Sequence, residues 1–367
     1  MGRTATHVVF GTSSWGLGHA TRDLVLMRAL LEAGCRLTII STGPAMQVLR
    51  SELGDQSCRF LDWPDMPSTV ARSTIGFYLK TVAHIPRIIA TWLAERPRLH
   101  KLLEEDPADL VISDHRYGLV TPSVPSYFIS HSPRYIAPWR DWFMEMVMER
   151  FMAHWLRHAR AVLIPDDPAD GLSGDMSHRV RYWPADRLVY LGILSSLRAV
   201  NHQPQDIDVF ISISGPEPQR TQLERIVLPQ LPRLEGRKVV VALGTPGRPA
   251  PPSPTGAQVH AYLDRAAQEQ VMNRSRLVVC RSGYTTLMEL AELGKKALLI
   301  PTPGQTEQLY LARTLRQRGH FYSVSQRKLS LARDVAIAQQ YPGYRAAHPT
   351  AESVQRFLNV VLGCRPS

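Results

Sequence analysis

Residues 278–312 read VVCRSGYTTLMELAELGKKALLIPTPGQTEQLYLA, and the reading of this stretch decides the fold. Leu277-Val278-Val279-Cys280 is a short apolar run of the kind that forms a buried parallel strand. Arg281-Ser282-Gly283-Tyr284-Thr285 interrupts it, and apolar residues then recur at helical spacing, at Leu287, Leu290, Ala291 and Leu293. Gly294 ends that helix, residues 297–300 make the next strand, and residues 301–308 make a second polar loop. Strand, turn, helix and strand form a parallel α/β unit. The turn gathers unpaired backbone N–H groups and the positive end of a helix dipole at one point, which suits a phosphate. Two such loops at the carboxyl ends of adjacent strands lie where an open α/β sheet binds its ligand.

The start of the chain repeats the pattern. Residues 7–10 are apolar, Gly11-Thr-Ser-Ser-Trp-Gly16-Leu-Gly18-His19 is a glycine-rich loop, and residues 20–33 read as a helix followed by a strand at 37–40. No third glycine follows Gly18 at the spacing of a GxGxxG fingerprint, which argues against a dinucleotide-dependent oxidoreductase. Further strands are expected at 110–113, ending at Asp114, and at 126–130, ending at His131. Residues 75–103 look helical but broken at Pro86 and Pro97. Residues 139–158, WRDWFMEMVMERFMAHWLRH, read first as core helix, and second as a basic aromatic patch facing a membrane or a lipid-linked acceptor. A second βαβ series begins near residue 209, with glycine turns at Gly215 and Gly244.

This organisation predicts two α/β domains facing across a cleft: 1–194, a polar linker at 195–207, 208–350, and a C-terminal helix in 351–367 returning to the first domain. The net charge of +11 favours an anionic partner, and no recognised motif points to nucleic acid. Cys35, Cys58, Cys280 and Cys364 lack CxxC spacing, so reduced thiols and a cytoplasmic location are expected, without a zinc site. Neither a DxD nor a His/Asp cluster at metal-ligand spacing is visible, so helix N-termini and basic side chains would meet any diphosphate charge.

Arg281-Ser282-Gly283, Thr286, Glu289, Gly294, Pro301 and Glu307-Gln308 together resemble the MurG-like GT-B glycosyltransferases, of the glycosyltransferase family 28 C-terminal type. Gly16-Leu17-Gly18-His19-Ala20-Thr21-Arg22 is similar to the glycine-rich loop of the same group, and Ser212-Ile213-Ser214-Gly215-Pro216 to the turn that opens its second domain. The resemblance implies two Rossmann-like domains and a nucleoside-diphosphate sugar, a UDP-sugar for instance. It also implies inverting, metal-independent transfer of a hexose-type sugar to a hydroxyl acceptor. No cofactor is expected beyond the donor. A nucleotide-sugar hydrolase or an epimerase on the same scaffold is the alternative. The basic composition fits a lipid-linked acceptor and a peripheral position on an anionic membrane surface.

By that resemblance the donor contacts are Gly18, Gly215, Gly244, Arg281, Ser282, Gly283, Thr285, Glu289, Glu307 and Gln308. Glu289 would hold the ribose hydroxyls, although Thr286-x-x-Glu289 also fits a helix capping box. Glu307 and Gln308 would meet sugar hydroxyls, which both donate and accept. His19 is the candidate general base because inversion needs a group that takes the acceptor proton. Asp114 would orient it or act as base itself, and His131 is an acceptor-side candidate.

Overall fold

The computed structural model describes residues 5–54, 56–67, 74–137, 140–200, 202–253 and 256–363. Cys364 and Trp139 lie outside these residues. The chain divides into two compact units, one of residues 1–69, 79–196 and 347–367, the other of residues 70–78 and 197–346.

The first unit runs β1 (His7–Thr12), α1 (Leu17–Glu32), β2 (Arg36–Ser41), α2 (Gly43–Leu53), β3 (Cys58–Asp62), most of α3 (Thr74–Glu105), β4 (Leu110–Asp114), β5 (Ser126–Ile129), α4 (Trp142–Trp155), β6 (Ala161–Ile164), α5 (Asp175–His178) and β7 (Leu188–Tyr190). Its strands form one parallel sheet in the order β3-β2-β1-β4-β5-β6-β7. The order reverses between β1 and β4, and a parallel α/β sheet leaves room for a ligand at such a point. Register pairs Thr12 with Asp114 and Asp114 with Ile129, so three strands end in line there. The strands are apolar on both faces because helices cover both, and Val8, Val9, Phe10, Val111 and Ile112 are fully buried.

The second unit runs β8 (Ile207–Ser212), α6 (Gln219–Val227), β9 (Val239–Ala242), β10 (Gln258–His260), α7 (Arg265–Arg274), β11 (Ser275–Cys280), α8 (Tyr284–Leu293), β12 (Lys296–Leu299), α9 (Thr306–Gln317), β13 (Tyr322–Ser323) and α10 (Leu331–Ala338). Its parallel sheet has the order β10-β9-β8-β11-β12-β13, with the same reversal, here between β8 and β11. Val209, Ile211, Val241, Leu277, Val279 and Leu298 build the core on one face of it. The last helix, α11 (Thr350–Leu362), belongs to the first unit. Phe357 anchors it, and Asp167 accepts hydrogen bonds from the backbone N–H groups of Ala347 and His348 at 2.9 and 3.0 Å.

Two expected features differ. Helix α3 runs unbroken for 32 residues with Pro86 and Pro97 inside it. Each proline removes one backbone donor, but Ile88, Trp92, Leu99 and Leu102 bury one side of the helix on both sides of Pro97 and hold it together. Helix α4 inverts the core reading of its sequence. Trp142, Phe143 and Val147 face outward, while Glu145 and Glu149 are buried. Both carboxylates face Arg134, whose Nη2 donates to Glu145 at 2.8 Å, and Glu149 also accepts the backbone N–H groups of Arg181 and Tyr182. A buried carboxylate stands only when paired in this way, and the sequence pattern does not show the partners.

Candidate active site

The reversal point of the first sheet carries an ionic cluster. β1 runs on to Thr12 and α1 begins at Leu17, so His19 sits in the first turn of a helix rather than in the loop expected for it. Gly18 lies in the same turn, where its carbonyl accepts from the Thr21 hydroxyl at 3.1 Å. One turn along, Arg22 faces inward, fully buried. Its Nε donates to Asp114 Oδ2 at 2.8 Å, its Nη2 bonds the other oxygen, and its Nη1 lies 3.3 Å from His131 Nδ1. His19 Nδ1 lies 3.1 Å from Asp114 Oδ2. The fold thus joins His19, Asp114 and His131, and the residue that joins them is Arg22, which the sequence reading places in the resembling loop without giving it a role. The one hint was a basic residue placed three after His19 on an otherwise apolar helix face.

Electrostatics set the charge of Asp114. Burial pushes the Asp114 carboxyl up, but the Arg22 charge and then His19 outweigh it and hold the group well below the usual carboxylate range. Asp114 is therefore a fixed anion. In the tautomer whose Nδ1–H donates to that anion the lone pair lies on Nε2, whereas Arg22 Nη2, a donor 3.0 Å from the same Nδ1, favours the other tautomer. The His19 side chain is 19% exposed, and among the described residues its Nε2 makes no hydrogen bond within the protein.

Neighbouring residues set the loop after β4. Arg116 is buried, with Nε donating to Glu95 at 2.8 Å and Nη2 to the Pro64 carbonyl at 2.9 Å. With Asp114 and Arg116 both held, His115 turns the chain in the left-handed region at φ 54°. Its ring centroid comes within 5.0 Å of that of His19. Desolvation, then His19, push its imidazole well below the ordinary range, so it stays neutral. Folding therefore brings His19, Asp114 and His115 within 4.8 Å of one another, a cluster that sequence spacing did not show. It is a poor cradle for a cation. The Arg22 guanidinium already bonds both Asp114 oxygens, and its Nη2 lies 3.0 Å from His19 Nδ1.

The reversal point of the second sheet is built differently. The loops after β8, β9, β11 and β12 carry Gly215, Gly244, Ser282-Gly283 and Thr302. Gly244 has φ 66°, and a Cβ there would meet the Ile213 carbonyl at 2.6 Å, so only glycine fits. Gly283 is different: its φ is −70° and a Cβ would meet only Gln308 Nε2 at 3.8 Å. The fold does not demand glycine at the N-cap of α8.

Arg281 is almost wholly buried, and its guanidinium donates to the carbonyls of Ser214, Ile300, Pro301 and Gln219. It braces three loops from inside instead of pointing outward as a phosphate contact would, and burial lowers it to about 10. Ser282 is also buried, with its hydroxyl donating to the Gln308 carbonyl at 2.9 Å. Gln308 Oε1 accepts from the Thr302 backbone N–H at 2.9 Å, while Glu307 in the first turn of α9 is exposed. Thr285 lies half-buried in the first turn of α8. Glu289 is buried in the second turn, and the N-cap of α8 is Gly283, so Thr286-x-x-Glu289 is not a capping box.

The model of the glycosyltransferase family 28 C-terminal domain matches residues 221–357. Comparison with curated protein sequences gives no match. Among solved structures, the glycosyltransferase of kitacinnamycin is similar at a TM-score of 0.68 and 14% identity, over 96% of this chain and 94% of that one. LpCGTa in complex with UDP gives 0.61 and 18%, over 98% and 95%. MurG of Acinetobacter baumannii gives 0.56 and 15%, over 98% and 100%. With two parallel α/β units of one strand order, the chain has the GT-B fold of these glycosyltransferases, and its residues 221–357 match the glycosyltransferase family 28 C-terminal domain.

Proposed function

We propose that the chain transfers a hexose-type sugar from a nucleoside-diphosphate sugar to a hydroxyl acceptor, with inversion and without a metal ion. The observation that carries this reading is His19, turned by the Asp114 anion so that Nε2 can take the acceptor proton as the hydroxyl attacks the anomeric carbon. Arg22 fixes the Asp114 carboxylate, which then holds the ring in place through Nδ1. Proton transfer to His19 creates an imidazolium beside a buried anion, which stabilises it.

The donor is assigned to the second unit. The bare N-cap at Gly283 lets backbone N–H groups and the α8 dipole approach a diphosphate, and Gly215 and Gly244 keep side chains away from it. Glu289 would accept from ribose hydroxyls, and Glu307 with Gln308 would meet the sugar. Arg281 acts by holding the loops that surround the diphosphate. UDP is the first nucleotide to try, since LpCGTa was solved with it. A lipid-linked acceptor is supported by Leu79, Val82 and Ile85 on α3 and by Trp142, Phe143 and Val147 on α4, all exposed. Among the described residues no helix is long and apolar enough to cross a membrane, so a peripheral contact is the form proposed.

The test is a panel of nucleoside-diphosphate sugars incubated with chelator, with and without hydroxyl acceptors, the product linkage being read by NMR. Acceptor-dependent release of nucleotide with an inverted linkage is expected. Equally fast release without acceptor would make the protein a nucleotide-sugar hydrolase. A changed stereocentre in recovered donor would make it an epimerase.

A further inference from the structure

Beside the Asp114–Arg22 pair lies a second carboxylate that the mechanism above does not use. Asp23 follows Arg22 on α1 and is wholly buried. Its Oδ2 accepts from the Thr12 hydroxyl at 2.8 Å, and Thr12 is itself fully buried at the end of β1. Its Oδ1 has no hydrogen-bond donor, and the nearest cationic atom, Arg22 Nε, lies 3.9 Å away and is already bonded to Asp114. Thr12, which bonds Asp23, is paired in register with Asp114, and Arg22 Nε faces both carboxyls, so the two lie side by side, where two ionised carboxylates would repel each other.

The charge balance has one solution. Among the described residues Arg22 is the cation that faces both carboxylates when His19 is counted as neutral, a count that rests on its proposed role as base. Two buried anions on one guanidinium would leave an uncompensated charge without solvent, the most costly arrangement a protein interior can hold. A proton on Asp23 Oδ1 removes that charge and supplies the missing donor. We propose that Asp23 is held as the neutral acid and donates its proton to Asp114, making it a positioning residue that leaves a single negative charge behind His19. The groups facing it are Arg22 on α1, Asp114 on β4 and Thr12 on β1. Burial and the Asp114 charge push its carboxyl well above the usual range, against the pull of Arg22.

The sign of the pH dependence separates this from the ordinary alternative, an ionised Asp23 serving as second counterion to Arg22. A carboxyl raised in the folded state contributes stability that is present below its unfolded value near ~3.9 and lost as pH rises through the folded value. Asp23→Asn mimics the neutral acid but has no proton to lose. Its Tm relative to wild type should therefore rise steadily from pH 5 to pH 9. An ionised Asp23 predicts the opposite: Asp23→Asn less stable at neutral pH, with the deficit vanishing in acid.

Where Asp23→Asn does not fold, the wild-type protein gives the answer directly. Labelling the aspartate carboxyl carbons alone with 13C should show a protonated carboxyl at pH 7, and a spectrum with every aspartate ionised would overturn the proposal. Neither measurement depends on the proposed reaction. Turnover adds an arm that rests on His19 as base. Asp23→Leu, which cannot donate to Asp114, should lose about tenfold in kcat at unchanged donor KM, and Asp23→Asn should restore it with the acid limb of the pH profile unmoved. An acid limb displaced in Asp23→Asn would mean that a charge had been removed, and would contradict the neutral acid.

Discussion

At the reversal point of the first sheet, β1 and β4 deliver His19, Arg22, Asp23 and Asp114, three of them buried and tied to one another by ion pairs. At the same place in the second sheet, β8, β9, β11 and β12 lead into loops with Gly215, Gly244, Ser282, Gly283 and Thr302, and the buried Arg281 and Arg220 are turned onto carbonyls and, for Arg220, onto Glu217 and Glu224. One topology has thus been equipped twice in opposite ways. The first point carries its own charges, already balanced, and so can hold a base in place. The second keeps its backbone uncovered, which suits a charge that arrives with the substrate.

The most direct way to break this comparison is to remove His19, the proposed base. His19→Ala should lower kcat by about 10²–10⁴-fold while a nucleotide binds as before. A comparable loss of nucleotide affinity would place His19 in the donor site. Next in size, Arg22→Met leaves the buried Asp114 anion without its partner and should cost about 3–5 kcal/mol in denaturant unfolding. A loss below about 1 kcal/mol, the range of an exposed ion pair, would show the cluster to be hydrated.

The second point should answer to backbone changes instead. Gly244→Ala forces a Cβ at φ 66° against the Ile213 carbonyl. A cost of about 1–3 kcal/mol in stability is expected, with weakened nucleotide binding. Unchanged stability and binding would show that this loop relaxes freely. The smallest effect is in acid. Asp114 is held below its ordinary range, so its contribution is present above ~pH 4 and is lost as pH falls through its folded value. Asp114→Asn should lack that acid limb, measured as Tm between pH 5 and pH 2.5.

Periodicity and turn residues were enough to place β11, the turn at Ser282-Gly283 and α8, because apolar runs and glycines report local backbone needs. Orientation was not legible. Arg281 reads as a phosphate cation beside a glycine, and only the fold reveals the four carbonyls that claim it. His19 and Asp114 stood out as polar residues near strand ends, but 95 residues separate them, and their pairing depends on β1 and β4 being neighbours. Arg22 stands out only as a basic residue on an apolar helix face, and Asp23 as an ordinary polar helix residue. Their burial follows from tertiary charge pairing, which leaves no period in the sequence. Glu145 and Glu149 on α4 mislead in the same way.

The division of labour between the two points is tested most directly by calorimetric titration of UDP into wild type, His19→Ala and Glu289→Ala, with turnover measured on the same preparations. Binding retained by His19→Ala without turnover, and binding lost by Glu289→Ala, is the expected result. Equal binding in Glu289→Ala, or binding lost in His19→Ala, would contradict a donor held by the second unit and a base supplied by the first.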